Sequence, residues 1–230
     1  MNRLLASIAT ALALLLALSA PVQAGVKEEA KARDAARVLA EIMRIPETSV
    51  PTRMFGEAHA IAVIPDVVKA GLFIGGRRGK GLVSVRSPDG TWSNPSYVTL
   101  TGGSIGFQAG VQSSDVILVF RSPRGVDSIV NGKFTLGADA SVAAGPVGRS
   151  AQASTDEQLK AEIYSYSRAR GLFAGVALDG TALNIDHKAN QRAYGANTTP
   201  RAIFEGRADA PAAPLVDFRD RLEENTVAQD

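Results

Sequence analysis

A glycine-rich cationic stretch, residues 71–86, constrains the fold of this chain more than any other part of it. The stretch holds five glycines and the neighbouring cations Arg77, Arg78 and Lys80, and it continues to Arg86 as an alternating strand pattern. Glycine lets a chain turn tightly and leaves its backbone amides accessible, while the cations supply positive charge. Two interpretations follow: a tight turn between two strands with solvated cations, or a site for an anion, with phosphate as the first candidate.

Glycine also recurs in a second segment, where it stands at nearly every second or third position between Gly102 and Gln112. Glycine within a strand permits a bend or close backbone packing, which a strongly curved sheet or a barrel needs. Residues 115–121 form the clearest buried strand pattern, and apolar or alternating runs predict several more strands. We therefore predict an α+β fold, in which a strongly curved antiparallel sheet or partial β-barrel is flanked by helices.

Hydrophobic periodicity and turn residues place the other elements. Apolar residues at helical spacing predict an amphipathic helix over residues 25–44, whose polar faces mix both signs of charge. Pro65 is expected to end a strand over residues 60–64, and residues 66–70 then form a short connector into the glycine-rich stretch. A capped helix is predicted over residues 186–194, followed by a linker rich in Ala and Pro and by a last amphipathic helix over residues 214–226.

A five-residue sequence occurs twice with one change. Gly-Leu-Phe-Ile-Gly at residues 71–75 returns as Gly-Leu-Phe-Ala-Gly at residues 171–175, each time before a predicted strand. The repetition predicts two similar strand starts that are neighbours in the sheet.

The first 24 residues have the three parts of a secretory signal peptide. Arg3 supplies the positive start, an almost continuous apolar run follows, and Val22-Gln23-Ala24 offers small residues before a cut ahead of Gly25. The apolar run is shorter than the roughly 20 residues of a membrane span, and no cysteine follows for a lipid anchor. We expect an exported protein that is periplasmic, associated with the outer membrane or secreted. Its domains would be a signal peptide over residues 1–24, a binding domain over 25–195, and a linker with a C-terminal helix over 196–230.

Composition excludes several classes of function. The chain has no cysteine, which excludes disulfides, a thiol nucleophile and a thiolate metal site. Its 25 Lys and Arg are almost balanced by 23 Asp and Glu, so it lacks the strongly basic charge of a nucleic-acid binder. The two histidines have no partner at metal-ligand spacing, and no cofactor is expected. The glycines around Lys80 also fail the spacing of nucleotide-binding loops.

One motif resembles a catalytic one. Gly-Gly-Ser-Ile-Gly at residues 102–106 matches the nucleophile elbow of serine hydrolases, with Ser104 as the nucleophile and His187 downstream. That elbow requires a strand before it and a helix after it, whereas the residues after Ser104 have the pattern of a glycine-laced strand. A serine hydrolase is therefore a remote alternative, and we predict that the chain is not an enzyme.

These segments belong to one ordered series along the chain. The series runs through residues 60–65, residues 71–81, Trp92 with Pro95, residues 102–110, Asp115, residues 137–146, residues 164–167, residues 171–175, Asn190, and Tyr194 with Gly195. It resembles the SYLF domain family, in its exported bacterial branch, over residues 27–195. The resemblance implies a lipid-binding module with affinity for anionic phospholipids, or for phosphoinositides in eukaryotic members, some of which also bind actin.

The resemblance also suggests where a membrane would bind. In eukaryotic members a basic amphipathic N-terminal segment contributes to membrane binding, a role that here falls on Lys27, Lys31, Arg33 and Arg37. We expect non-catalytic binding of anionic phospholipid at a membrane surface of the bacterial envelope. The cations of the glycine-rich stretch, Arg77, Arg78 and Lys80, would pair with phosphates there. The alternative is a structural module of the envelope that binds a protein partner.

Overall fold

The computed structural model describes residues 22–42, 50–71, 74–105, 110–130, 133–147, 160–169 and 172–227. The predicted signal peptide lies outside the described residues, apart from its last three positions. The helices of the described chain are α1 (Val22–Ile42), α2 (Thr52–Gly56), α3 (Pro123–Val130), α4 (His187–Tyr194), α5 (Pro200–Phe204) and α6 (Ala213–Val227). The strands are β1 (Ala60–Gly71), β2 (Ile74–Val85), β3 (Ser96–Ile105), β4 (Gly110–Phe120), β5 (Lys133–Thr135), β6 (Val142–Ala144), β7 (Ile163–Ala169), β8 (Leu172–Gly175) and β9 (Thr181–Ile185).

The strands form one strongly curled sheet in the order β5-β9-β3-β2-β1-β4-β7-β6, with β8 paired to β7. Every pair is antiparallel except β6 with β7, which is parallel. This architecture confirms the predicted α+β fold with a curved sheet and flanking helices.

Alternation along the strands gives the sheet two apolar faces. One face, with Ile61, Leu82 and Val119, packs under α1 and α6, and we call it the helix-covered face. The other carries a second cluster that includes Leu183 of β9 and Ile163 of β7, from opposite sides of the sheet. Because distant strands meet in this cluster, the sheet curls toward it, and we call it the concave face.

The first and last helices close the helix-covered face together. The apolar stripe of α1 is rich in alanine and is buried from Ala32 to Ile42, which lets the helix lie close to the strands. Three residues of α6, Leu215, Phe218 and Leu222, are buried in the same cluster. The predicted helices at both ends of the chain are confirmed, and α5 lies within the segment predicted as a linker.

The expectation that Pro65 ends the first strand is wrong. β1 continues to Gly71, and its pairing with β2 shifts register between Val63 and Val68. A β-bulge tolerates a proline, which cannot donate to the ladder. Asp66 has φ 53°, and its amide N–H donates to Asp115 Oδ1 at 3.1 Å. The predicted connector over residues 66–70 is therefore the distal half of a bulged strand.

The strand β2 lies wholly within the glycine-rich stretch, and glycines there allow the backbones of neighbouring strands to pack closely. A Cβ on Gly81 would lie 2.1 Å from the Val63 carbonyl oxygen and 2.6 Å from Ile64 Cα. Only glycine fits where the bulge brings the β1 backbone over β2.

The repeated five-residue sequence marks two hairpin turns. Gly71 pairs with Gly75 at the end of the β1–β2 hairpin, and Ala169 pairs with Leu172 at the end of the β7–β8 hairpin. β4 lies between β1 and β7 in the sheet order. The first segment thus spans the end of its hairpin, whereas Leu172–Gly175 of the second is the strand β8 itself. The prediction that the two segments are neighbours in the sheet is wrong.

Candidate functional site

The alternation of β2 divides the predicted cation cluster between the two faces of the sheet. Arg77 lies opposite Lys69 of β1 and points to the concave face, with the parity of Val83. Arg78 and Lys80 have the parity of Leu82 and lie on the helix-covered side, beyond the part that the helices bury. The three cations therefore do not lie on one face of the sheet.

A cleft of about 690 Å³ opens on the concave face and contains Arg77. It is lined by Val67, Lys69, Arg77, Val111, Gln112, Ser113, Ser114, Val116, Ser167, Ala169, Val176 and Leu178. These residues include two cations, several hydroxyl groups and an aliphatic wall, and none is acidic. We call this site the concave cleft.

The charge of Arg77 is poorly compensated by the protein. Burial lowers the pKa of the half-buried guanidinium, because the charged form loses solvation. Its Nη1 donates to the Ala177 carbonyl oxygen at the long distance of 3.5 Å, and its buried Nε has no hydrogen-bond partner. Among the described residues neither Arg77 nor Lys69 forms an ion pair. An anion in the cleft would supply the missing partner.

The position of Lys69 strengthens this electrostatic argument. Lys69 and Arg77 are direct cross-strand partners, and like charges placed opposite each other destabilise a sheet. Lys69 is also the direct partner of Gln112 on β4. The row Arg77, Lys69 and Gln112 therefore offers charged and neutral hydrogen-bond donors side by side, with Val116 and Leu178 as apolar neighbours. The cleft is suited to a ligand that is anionic at one end and apolar at the other.

A second groove, of about 310 Å³, lies between α1, α4 and the strands β2 and β3. It is lined by Lys27, Glu28, Lys31, Lys80, Tyr97, Val98, Asp186, Ala189 and Arg192. The groove brings Lys27 and Lys31 of the predicted helical set together with Lys80 of the predicted glycine-rich set. We call it the helix groove.

The charges of the helix groove are largely neutralised within the protein. Lys80 Nζ donates to Asp186 Oδ2 at 2.7 Å, and Arg192 donates to Glu28 Oε1 from Nε at 2.8 Å and from Nη2 at 2.5 Å. Burial alone would raise the pKa of Asp186, but hydrogen bonds from Lys80 and from the Ala189 amide, with the nearby cations, hold it below its usual value. Two of the cations in the groove, Lys80 and Arg192, are therefore already paired with carboxylates of the protein.

The remaining cations of α1 also have acidic neighbours. Arg33 Nη1 lies 3.4 Å from Glu29 Oε2, and Arg37 lies within 3.7 Å of carboxylates on Asp34 and Glu41. Lys31 Nζ lies 3.5 Å from Asp34 and 3.7 Å from Asp66. Lys27 and Arg78 have no ion pair among the described residues.

The geometry around Ser104 does not match a nucleophile elbow. Ser104 lies within β3, paired with Gly75, and the next described element is the strand β4. Ile185 pairs with Val98, six residues back along β3, which places His187 roughly 20 Å from Ser104. The expectation of a strand after Ser104 is confirmed.

Two further findings concern the described part of the chain. Its acidic and histidine side chains form no group that could hold a metal ion. None of its helices is long and apolar enough to cross a bilayer.

Sequence reasoning missed the concave cleft because it missed Lys69. Because the prediction ends the first strand at Pro65, it assigns residues 66–70 to a connector and to neither face of the sheet. A signal was nevertheless present, because the β-branched residues Val67 and Val68 favour a strand. The Ala177 carbonyl that contacts Arg77 lies 100 residues away, and no local pattern indicates that pairing.

Comparison with known proteins gives a consistent set of relatives. Residues 101–222 match the family model described as "Ysc84: Las17-binding protein actin regulator". Protein YSC84 of Saccharomyces cerevisiae is 35% identical over 201 residues, which cover 84% of this chain and 42% of that protein. LAS seventeen-binding protein 3 of the same yeast is 34% identical over 84% of this chain and 43% of its own length. The human SH3 domain-containing YSC84-like protein 1 is 33% identical over 198 residues, 84% of this chain and 57% of its own. The chain thus spans about half the length of these relatives.

Proposed function

The chain belongs to the Ysc84 family, whose shared module is the SYLF domain, and from this premise we propose that it binds anionic phospholipid without catalysis at a membrane of the bacterial envelope. The family is described as a Las17-binding protein and actin regulator, one relative is named as a LAS seventeen-binding protein, and none of the relatives given above is named as an enzyme. The envelope location rests on the signal-peptide pattern of residues 1–24.

One observation carries the proposal: the half-buried Arg77 lies beside Lys69 in a cleft without an acidic lining residue. Retaining two facing cations without a protein counter-charge lowers stability, so their retention favours a role toward an external anion. Arginine suits phosphate, because its planar guanidinium donates two parallel hydrogen bonds. The aliphatic wall of the cleft would accept the apolar part of a lipid next to its phosphate.

A second candidate function is binding of a protein partner. Its support is the printed description of the family and of one relative, both of which name binding to the protein Las17 or LAS seventeen. The helix groove is less suited to an anionic lipid, because its main cations are already paired. A partner with both signs of charge could exchange for those internal pairs.

Vesicle co-sedimentation tests the proposal directly. We expect the protein to pellet with vesicles that contain phosphatidylglycerol and to stay in the supernatant with phosphatidylcholine alone. Arg77→Gln should weaken binding about tenfold, because a hydrogen bond to a charged group contributes about 1.5–3 kcal/mol. Arg33→Gln is the matched control on α1, and a change of less than about twofold is expected there.

Three results would contradict the proposal or the site assigned to it. Equal binding to anionic and zwitterionic vesicles would remove the role of the phosphate charge. Absence of binding to any vesicle at low salt, together with specific capture of an envelope protein, would favour the partner-binding function. Equal loss in Arg77→Gln and Arg33→Gln would show a diffuse electrostatic attraction and not a site in the cleft.

A further inference from the structure

We propose that the protein docks end-on onto an anionic bilayer, through the end of the sheet where the β1–β2 and β7–β8 hairpins end, β3 stops and β4 begins. We call this surface the hairpin end, and its described residues are 67–71, 74–80, 101–105, 110–114, 167–169 and 172–177. Val111 and Leu172 would enter the bilayer interface, and the concave cleft would open onto the headgroups. This inference rests on the proposed function and names the surface that serves it.

Exposed apolar side chains are concentrated at the hairpin end. Of the four large hydrophobic residues that are exposed in the described chain, Val111 (75%), Leu172 (72%) and Val68 (43%) lie here, and Val26 (54%) lies on α1. Val111 sits opposite Ala70, and Leu172 is at the β7–β8 turn. Asp115 pairs with Arg168, so the strands reach that turn at about the level of Val111. Single exposed aliphatic residues are common, but a set at one end of a sheet indicates a contact surface.

The charge of the hairpin end complements an anionic membrane. The described residues of the hairpin end include five cations, Lys69, Arg77, Arg78, Lys80 and Arg168, and no Asp or Glu, in a chain whose 25 Lys and Arg are almost balanced by 23 Asp and Glu. Anionic lipids attract such a cluster at short range. Carboxylates lie at the borders of this surface, where Arg168 is paired with Glu41 and Asp115, and Lys80 is paired with Asp186. Lys69, Arg77 and Arg78 have no ion pair among the described residues. Further acidic side chains stand at the β5–β9 edge, where Asp179 approaches Gly137 and Asp139 accepts from the Thr135 amide. The cations of the docking surface without an ion pair among the described residues therefore lie on β1 and β2, close to the exposed Val68 and Val111.

The hairpin end is continuous with the concave cleft. Val111 and Ala169 belong to both, and Lys69 and Arg77 stand one strand position away from the outward-facing Val68 and Arg78. A bilayer that meets Val111 and Leu172 would therefore present its headgroups at the mouth of the cleft. Val111 and Leu172 would insert into the bilayer interface, and Lys69 and Arg77 in the cleft would bind the headgroups.

Helix α1 is less suited to this contact, although its composition is amphipathic. Its apolar stripe is buried against the sheet and α6, so it has no large apolar face to offer a bilayer. Most of its cations have carboxylate neighbours within 4 Å. Membrane binding through α1 would require the helix to leave the core of the domain.

Matched variants of the full chain separate the two surfaces. Leu172→Glu should weaken binding to phosphatidylglycerol vesicles at least about tenfold. Val26→Glu, at an exposed aliphatic residue of α1, should change it less than about twofold. Tryptophan reporters give an independent measurement, because native Trp92 is buried. Fluorescence of Val111→Trp should shift to the blue on addition of vesicles, and that of Val26→Trp should not.

A water-soluble short-chain phosphatidylglycerol distinguishes docking from headgroup binding. Calorimetry should show that Leu172→Glu binds this monomeric lipid like the native protein, while Arg77→Gln loses the binding. Native vesicle affinity in Leu172→Glu, or a blue shift in Val26→Trp and not in Val111→Trp, would overturn the end-on orientation and leave the proposed function intact. If the native protein bound neither the monomeric lipid nor the vesicles, the proposed function itself would be overturned.

Discussion

On the helix-covered face, Lys80 and Arg192 each lie against a carboxylate of another element, whereas Lys69 and Arg77 on the concave face have none among the described residues. The same strands supply both faces, and Arg77 and Lys80 are only three residues apart. The difference indicates two uses of positive charge. Pairs on one face hold α1 and α4 to the sheet, and free cations on the other remain available to a ligand.

Buried polar groups join α4 to β3 on the helix-covered face. The side chain of Asn190 on α4 accepts from the Tyr97 amide at 2.7 Å and donates to Ser96 Oγ at 2.9 Å. The hydroxyl of Tyr194 donates to the Pro95 carbonyl at 2.6 Å, and burial raises the pKa of that hydroxyl. These hydrogen bonds fix α4 to β3. Buried atoms without a partner occur on both faces, since the Tyr166 hydroxyl in the helix-covered cluster also lacks one, and Arg77 Nε is such an atom in the concave cleft.

The largest expected effect is on the stability of the sheet, at Gly81, where the β1 backbone lies against β2. Gly81→Ala should lower the free energy of unfolding by about 3 kcal/mol, because its Cβ would press on the β1 backbone and not on a movable side chain. Gly103→Ala is the control, since nothing lies within 4 Å of a Cβ there, and it should be nearly neutral. Urea unfolding measures both. Equal stability of the two variants would mean that the bulge does not force β1 against β2.

A second variant tests whether the helix-covered face depends on its internal hydrogen bonds. Asn190→Ala should lower the free energy of unfolding by about 2 kcal/mol, because the buried Tyr97 amide loses its acceptor. Ser113→Ala, an exposed change in the cleft lining, should stay within about 0.5 kcal/mol of the native protein. Similar losses in both variants, measured by urea unfolding, would erase the contrast between the faces.

The smallest effect should differ in sign between the faces. Without lipid, Arg77→Met should raise the free energy of unfolding by about 0.5 kcal/mol, because it removes a half-buried charge and its repulsion with Lys69. Arg33→Met on α1 should lower it by about 0.3 kcal/mol, because the pair with Glu29 is lost. Differential scanning calorimetry at low salt can resolve the opposite shifts in Tm. A loss of stability in Arg77→Met would show that its charge is compensated within the protein.

The elements of this structure that depend on local patterns could be predicted from the sequence. The stripe of α1, the buried β4 and the Asp186 cap of α4 all follow from spacing within one element. The bulge at Asp66 does not, because it depends on how β1 pairs with two neighbours at once. Strand alternation predicts that Arg77 and Arg78 lie on opposite faces of the sheet. That prediction requires the glycine-rich stretch to be recognised as a strand and not as a turn. Internal partners such as Asp186 for Lys80 lie about a hundred residues away and leave no local trace.

The packing of α1 against α6 has a consequence for how the domain folds. Leu39 near the start of the described chain and Phe218 near its end belong to one core cluster, so this contact closes almost the longest loop available. Such contacts raise contact order and slow folding, because the loop entropy is lost before the contact forms. A nascent chain can pair β1 with β2 early, but it cannot bury the apolar stripe of α1 fully until α6 has been made. Until then, that stripe is a hydrophobic surface open to chaperones and to aggregation.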